Sequence, residues 1–251
     1  MDSMPLPAVL LAGGKARDAL TEAGGVCHKA LLPVAGRPMV THVAAALAAC
    51  EAIGKIYLAG PPEVAAVLPD LAHLGDAETF MGNVMAGVAA CTGAPYCLFI
   101  TCDIPFVTPP MLADFVTQAT RRAVDLVYPI LALARCEERF PGMRRTSLRV
   151  REGCFTGGNA MVVRPAFLAR NVPLLESTFA ARKQPLRLAG MVGWDLVFRA
   201  LLSPVLPGLL PLSLLEERVG RLVGGRVAAL EIPYPEIGAD IDKPEDLAGI
   251  G

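Results

Sequence analysis

Val9-Leu10-Leu11-Ala12-Gly13-Gly14 is the segment that most constrains the fold of this chain. An uninterrupted apolar run is typical of a strand that is buried on both faces. The glycine pair at its end lets the backbone approach a ligand closely, because neither residue has a side chain. Such a loop presents backbone N–H groups to phosphate oxygens. An ordinary turn between a strand and a helix is the alternative interpretation.

Strand-like and helix-like segments alternate through the first half of the chain. The pattern predicts strands at 8–12, 55–59, 96–101 and 124–128, and helices at 38–52, 83–91 and 108–122. This alternation is typical of an α/β fold with a mostly parallel sheet and helices on both faces.

The second half has a different pattern. It predicts strands at 144–151, 160–163 and 227–232, a helical region interrupted by prolines at about 165–220, and a terminal helix opening at 244–247. We find no internal repeat and no long linker. The chain is therefore expected to form one domain over 1–251, with a helical elaboration at about 173–225.

Composition excludes several classes of protein. The formal net charge is −1 and there is no basic tract, so we expect no nucleic-acid partner. Seven cysteines, an odd number without C-x-x-C spacing, indicate reduced thiols in a cytoplasmic protein. The apolar segment 196–215 contains Arg199 and three prolines, which excludes a membrane span. It is interpreted as core helices or a homodimer interface, with a cover for a lipid-phosphate acceptor as the alternative.

Acidic residues at two places in the chain suggest a metal site. Asp103 ends an apolar strand, and Mg²⁺ prefers one or two carboxylates together with phosphate oxygens. A carboxylate that caps a turn is the alternative. Asp240 and Asp242 have the same parity on an extended segment, so both can face one side and one can complete the metal shell. Asp242 also suits a helix cap, which makes Asp240 the preferred second ligand.

Several polar residues are candidate substrate contacts. Lys29 is placed to neutralise triphosphate charge, although a solvated surface lysine is the alternative. Asn83 and Gly87 are predicted at the start of a helix, where they read a base or ribose or, in the case of Asn83, cap the helix. Gly158 and Asn159 are predicted to meet a second substrate, or to form a hairpin turn. Arg182-Lys183 is a candidate contact for a phosphate on the acceptor, and a solvated helix end is the interpretation that we prefer.

Taken in order, these motifs resemble the MobA-like nucleotidyltransferases, a family that includes molybdenum-cofactor, sugar-phosphate and cobinamide-phosphate nucleotidyltransferases. The resemblance covers most of the chain. It rests on Leu11-Ala12-Gly13-Gly14, on Lys29 followed by Leu32-Pro33-Val34-Ala35-Gly36-Arg37-Pro38-Met39, on Cys102-Asp103-Ile104-Pro105, and on Asp240-Ile241-Asp242-Lys243-Pro244-Glu245-Asp246-Leu247. It implies a Rossmann-like GT-A fold.

The resemblance also implies roles for particular residues. The loop Leu11-Ala12-Gly13-Gly14 would cradle the nucleotide, with its glycines on the phosphates, and Lys29 would contact the triphosphate. Asp103 would bind Mg²⁺ together with Asp240 or Asp242. Arg17 takes the place of the arginine that follows the glycines in the family, and the Met-Gly after that arginine is absent from this chain.

The predicted function is nucleotidyl transfer. An NMP would pass from a nucleoside triphosphate to a phosphorylated small-molecule acceptor, with release of pyrophosphate and dependence on Mg²⁺ or Mn²⁺. A GT-A-type glycosyltransferase is one alternative, because the same fold serves both chemistries. A non-catalytic nucleotide-binding module is the other, and the unusual 15–28 loop favours it.

Overall fold

The computed structural model describes residues 4–14, 19–181, 184–243 and 246. The strands of these residues are β1 Leu6–Leu11, β2 Pro33–Val34, β3 Arg37–Pro38, β4 Ile53–Ala59, β5 Ala72–His73, β6 Cys97–Thr101, β7 Leu126–Ala132, β8 Leu148–Val150, β9 Gly153–Gly157, β10 Ala160–Val163 and β11 Val227–Glu231. Nine of these described strands form one sheet, and β2 and β3 form a small hairpin.

The helices of the described residues lie mostly between strands in the first half and in succession in the second. They are α1 Ala19–Ala23, α2 Met39–Ala48, α3 Pro62–Ala65, α4 Phe80–Ala90, α5 Pro109–Arg121, α6 Leu133–Arg139, α7 Pro165–Arg170, α8 Val172–Ala181, α9 Pro185–Val192, α10 Trp194–Leu202 and α11 Leu212–Val223. Short 3-10 helices cover Lys29–Leu31, Pro207–Leu209 and Pro235–Gly238. Among the described residues, no helix combines the length and the apolar character needed to cross a membrane.

The main sheet is mixed but mostly parallel. Its order is β5-β4-β1-β6-β10-β7-β9-β8. Strand β11 pairs with β7 on the edge opposite to the one that β9 and β10 share. The pairings place seven of these nine described strands in one direction, with only β9 and β10 reversed. The predicted Rossmann-like fold is confirmed. Loops that follow β1, β6, β7 and β11 therefore meet at one edge of the sheet.

Side chains of β1 alternate between two cores. Ala8 and Leu10 belong to the core on the face covered by α2 and α5. Val9 and Leu11 belong to the core on the opposite face, where α4 and α7 pack. Because successive side chains of a strand point to opposite faces, a continuous apolar run is needed to fill both cores. The prediction of helices on both faces is confirmed.

Some element boundaries differ from the predicted ones. The predicted strand at 144–151 is only Leu148–Val150, and the predicted helix at 83–91 begins earlier, at Phe80. Thr79 caps that helix, and its hydroxyl accepts a hydrogen bond from the N–H of Gly82 at 3.0 Å. The terminal helix predicted at 244–247 lies outside the described residues except for Asp246.

The apolar segment 196–215 is only partly buried. Leu196 and Leu210 are core residues, whereas Phe198, Leu201 and Val205 are exposed. Five of the seven cysteines are buried, and all seven are free thiols.

Candidate functional site

Three carboxylates converge at the edge of the sheet where the parallel strands end. Asp103 lies two residues beyond β6, and Asp240 and Asp242 follow the 3-10 helix Pro235–Gly238. The N–H of Ile241 donates to the carbonyl of Asp103 at 3.0 Å, which holds the two segments together. Carboxylate oxygens of the three acids lie within 4.8 Å of one another. We call this group the carboxylate cluster, and its oxygen ligands fit Mg²⁺ or Mn²⁺.

Lys29 lies against the carboxylate cluster. Its Nζ donates to Asp103 at 2.7 Å and also contacts Asp242. Burial lowers the pKa of Lys29, but the charges and hydrogen bonds of the two acids outweigh this effect and raise that pKa above its usual range. The ammonium group is therefore charged at neutral pH and lies where anionic groups meet.

Asp240 and Asp242 of the carboxylate cluster differ in their proton affinity. Burial, together with the negative charges of Asp103 and Asp242, raises the pKa of Asp240 to about 6. Burial acts in the same direction on Asp242, but the hydrogen bond and charge of Lys29 outweigh it and lower the pKa of that acid. A divalent cation among these oxygens would relieve the repulsion that Asp240 experiences.

The glycine loop and Lys29 line a common cavity. This glycine cavity has a volume of about 300 Å³. Its walls are Leu11, Ala12, Gly13, Gly14, His28, Lys29, Ala30, Phe80, Thr101, Cys102 and Asp103. The structure thus brings together six sequence-predicted residues that lie up to 92 positions apart, because β1 and β6 are neighbouring parallel strands and pair Leu11 with Thr101.

Asn83 supports the glycine loop from behind. Asn83 is 3% exposed, and its side chain donates to the Oδ1 of Asp76 at 2.9 Å and accepts from the N–H of Ala77 at 2.8 Å. A Cβ atom on Gly13 would lie 2.1 Å from the amide nitrogen of Asn83. Its amide is thus engaged within the protein, and Asn83 does not line the glycine cavity.

Gly87 lies at a contact between a helix and the sheet. A Cβ atom there would come within 2.9 Å of both Val9 and Phe99, so the close approach of α4 to the sheet requires glycine. This packing gives a structural reason for the glycine, and the contact with a base or ribose stays a prediction.

Gly158 and Asn159 form a bulge between β9 and β10, which both pair with β7. The alternative of a hairpin turn is therefore wrong. Their N–H groups donate to the carbonyls of Pro129 and Ile237 at 3.0 and 2.8 Å, so neither N–H is available to the predicted second substrate. Both residues line a second cavity of about 280 Å³, the strand cavity, with Leu11, Phe80, Phe99, Ile100, Thr101, Tyr128, Ala160 and Met161.

Two predicted contacts cannot be placed in the site. Arg17, assigned to the nucleotide, and Arg182-Lys183, assigned to the acceptor, lie outside the described residues. Their roles stay predictions.

A third cavity, of about 470 Å³, lies on the other side of the carboxylate cluster and was not predicted from the sequence. This arginine cavity is lined by Gly142, Met143, Arg144, Arg145, Asp240, Asp242, Lys243 and Asp246. The two arginines lie between α6 and β8, where the only signal in the sequence is a pair of adjacent cations without a motif spacing.

Comparison with known proteins also indicates a nucleotidyltransferase. The MobA-like NTP transferase domain is recognised over residues 8–190. A hypothetical transferase from Thermus thermophilus is 37% identical and superposes with a TM-score of 0.84, over 97% of this chain and all of that one. None of the curated proteins matches this chain in sequence at a significant level.

Two more distant structures share the fold. A CMP:2-keto-3-deoxy-manno-octonic acid synthetase complexed with CTP is 13% identical, with a TM-score of 0.63 over 99% of this chain and 97% of that one. A 2-C-methyl-D-erythritol 4-phosphate cytidylyltransferase, also from Thermus thermophilus, is 19% identical, with a TM-score of 0.55 over 98% of each chain. At these identities the likeness concerns the fold alone.

Proposed function

Because this chain belongs to the MobA-like NTP transferase family and is a nucleotidyltransferase, we propose that it transfers an NMP to a phosphorylated small-molecule acceptor. The donor is a nucleoside triphosphate, and pyrophosphate is released in a reaction that requires Mg²⁺ or Mn²⁺. One observation carries the proposal: the Gly13-Gly14 loop, Lys29 and Asp103 line a single cavity beside two further carboxylates.

The reaction is a displacement at the α-phosphorus. An oxygen of the acceptor phosphate forms a bond to this phosphorus while the bond to the oxygen that bridges to the β-phosphorus breaks. The electron pair of the broken bond leaves with pyrophosphate. An acceptor phosphate is already ionised at neutral pH, so the step requires no general base and no covalent enzyme intermediate.

Residues of the glycine cavity supply binding and charge. Backbone N–H groups of Gly13 and Gly14 bind phosphate oxygens, and Lys29 neutralises the charge that grows on the leaving pyrophosphate. Asp103 with Asp240 or Asp242 holds the divalent cation, which when bound supplies positive charge to the phosphoryl oxygens. Catalysis rests on the positioning of two anionic substrates against these groups.

A direct test is pyrophosphate release. Purified protein is mixed with Mg²⁺, one of CTP, GTP, ATP or UTP, and a panel of phosphorylated acceptors, with CTP first because two structures of the same fold are named for cytidine chemistry. We expect release that requires NTP, acceptor and metal together. Cleavage of a nucleotide sugar without pyrophosphate release would support the glycosyltransferase alternative. Nucleotide binding without turnover across the panel would support the non-catalytic one.

We propose a single domain over 1–251, a cytoplasmic location and a homodimer. The exposed apolar residues of α10 support the homodimer, because contiguous apolar surface is common at protein interfaces.

A further inference from the structure

We propose that the arginine cavity binds the phosphate group of the acceptor, and that Arg145 is the residue that recognises it. This inference rests on the proposed function, in which that phosphate attacks the α-phosphorus of the donor. It assigns a part of the molecule that neither the motifs nor the family resemblance pointed to.

Arg145 is buried without adequate partners. Its side chain is 8% exposed, and its Nε is buried with no hydrogen-bond partner among the described residues. Its one ion pair in the described part of the chain is a contact of 3.8 Å between Nη2 and Asp240, longer than a hydrogen bond. A buried guanidinium nitrogen without an acceptor is costly, and a bound anion in the cavity would supply the missing acceptor.

The guanidinium group is held in place by packing against the backbone. A Cβ atom on Gly238 would lie 2.4 Å from Leu131 and 3.0 Å from the Nη1 of Arg145. Glycine at this position therefore leaves the room that the arginine occupies. A guanidinium fixed in this way loses little further freedom when it binds an anion, which favours affinity.

Besides Arg145, the charged residues that line the arginine cavity are two cations and three acids. Arg144 and Lys243 add two cations to the wall. Of the acids there, Asp242 is paired with Lys29, and Asp246 accepts from the N–H groups of Asp242 and Lys243 at 2.9 and 2.8 Å. Among the described residues, the side chains of Arg144 and Lys243 make no hydrogen bond, whereas the third acid, Asp240, lies 3.8 Å from Arg145.

The position of the cavity suits the acceptor rather than the donor. Asp103 lines the glycine cavity, whereas Asp240 and Asp242 line the arginine cavity, so the carboxylate cluster lies between the two. In a displacement at phosphorus, the attacking and leaving oxygens lie roughly in line on opposite sides. Pyrophosphate leaving toward Gly13 and Lys29 therefore requires an acceptor that approaches from the side of Arg145.

A phosphate monoester matches the chemistry of this site. The Nε and one Nη of a guanidinium group form a planar pair of donors that binds two oxygens of one phosphate. Lysine lacks this paired geometry. The test therefore compares Arg145→Gln, which removes the charge, with Arg145→Lys, which keeps the charge but not the paired donors.

Binding of methyl phosphate measures the site without turnover. Titration calorimetry of the full chain at low ionic strength is carried out on wild type, both Arg145 variants and Arg149→Gln, a matched change of an exposed arginine on β8 outside the cavity. We expect methyl phosphate to bind wild type and Arg149→Gln alike. Both Arg145 variants should bind it about 10- to 100-fold more weakly, the loss typical of a charge-assisted hydrogen bond. Binding of CTP should be unchanged in all variants.

Other outcomes separate this inference from the proposed function. Equal affinity of wild type and Arg145→Gln for methyl phosphate, or no binding to wild type, overturns the inference, as does acetate binding as tightly as methyl phosphate. If methyl phosphate binding depends on Arg145 but no NTP yields pyrophosphate, the proposed function fails and the anion site stands. If Arg145→Gln turns over with an unchanged KM for the acceptor, the inference fails and the function stands.

Discussion

Asp103 is the acid shared by the glycine cavity and the carboxylate cluster. It accepts hydrogen bonds from Lys29 and from the hydroxyl of Thr101, and its side chain is 17% exposed. Asp103→Asn keeps the shape of the residue and removes its charge, so the metal loses a ligand. We expect metal-dependent turnover to fall by about 100-fold or more, the size of a lost electrostatic contact at a transition state.

Pyrophosphate release measured across a range of Mg²⁺ concentrations tests this prediction. Thermal unfolding of the variant should remain cooperative, since Asp103 lies at the edge of the sheet and not in its core. If Asp103→Asn kept wild-type turnover at low Mg²⁺, Asp103 would not be a metal ligand.

The raised pKa of Asp240 predicts an unusual dependence of folding stability on pH. Its pKa of about 6 in the folded protein exceeds its ordinary value of 3.8, so the folded state binds more protons than the unfolded state between those values. The contribution of this group to stability is therefore greatest below about pH 4 and is lost as the pH rises to about 6. Asp240→Asn, which is uncharged at every pH, should then stabilise the metal-free protein by about 1–2 kcal/mol at pH 7.5, after allowance for partial exposure.

Denaturant unfolding of metal-free wild type and Asp240→Asn at pH 4 and 7.5 checks the sign. The difference between the two proteins should appear at pH 7.5 and shrink toward zero at pH 4. Asp70→Asn, a change of an exposed acid outside the cluster, serves as the control. A difference between wild type and Asp240→Asn that is the same at both pH values would contradict the assigned cause.

At the scale of the elements, the loop after β1 depends on the first turns of α4. Gly13 faces the buried amide of Asn83, where a Cβ atom would lie 2.1 Å from nitrogen, whereas Gly14 has open space around it. Gly13→Ala must therefore move the loop or disturb the hydrogen bonds that Asn83 makes. We expect Gly13→Ala to weaken NTP binding about 10-fold or more, while Gly14→Ala, the matched control, has a smaller effect. Calorimetric titration of NTP with Mg²⁺ measures both, and equal losses would argue against this coupling.

The sequence alone predicts those parts of the site that depend on a single strand and the residues at its end. Apolar runs before Gly13 and Asp103 predict buried parallel strands, and the carboxyl ends of such strands meet at one edge. The order of these strands in the sheet does not follow from the runs themselves. It places the reversed strand β10 next to β6, a pairing of residues about 60 positions apart.

Other parts of the site depend on contacts between distant elements. The sequence places both Asn83 and Gly87 near the start of a helix. In the structure, Asn83 supports the glycine loop, whereas Gly87 packs on the sheet. Burial of Arg145 depends on the room left by Gly238, 93 residues later. These contacts join residues that are far apart in the chain. Secondary-structure propensity and motif spacing therefore do not predict them.

At the scale of the whole molecule, the carboxylate cluster joins segments from both ends of the chain. Lys29 contacts Asp242 across 213 residues, and Ile241 is hydrogen-bonded to the loop after β6. Ligands that bind this cluster in the folded state find no such arrangement in the unfolded chain. Binding of NTP with its metal should therefore stabilise the entire fold, and not only the loops that contact it.

A thermal-shift measurement with CTP, GTP, ATP and UTP, each with and without Mg²⁺, tests this linkage. A ligand at about 100 times its Kd adds about 2.7 kcal/mol, which for a chain of this size corresponds to roughly 5–10 °C in Tm. We expect such a shift with one nucleotide in the presence of Mg²⁺, and a much smaller one for Asp103→Asn because the cluster then lacks a charge. A shift that is equal with and without Mg²⁺ would mean that the nucleotide binds through the glycine loop and Lys29 alone. No shift with any nucleotide would favour a chain whose 15–28 loop no longer binds triphosphates.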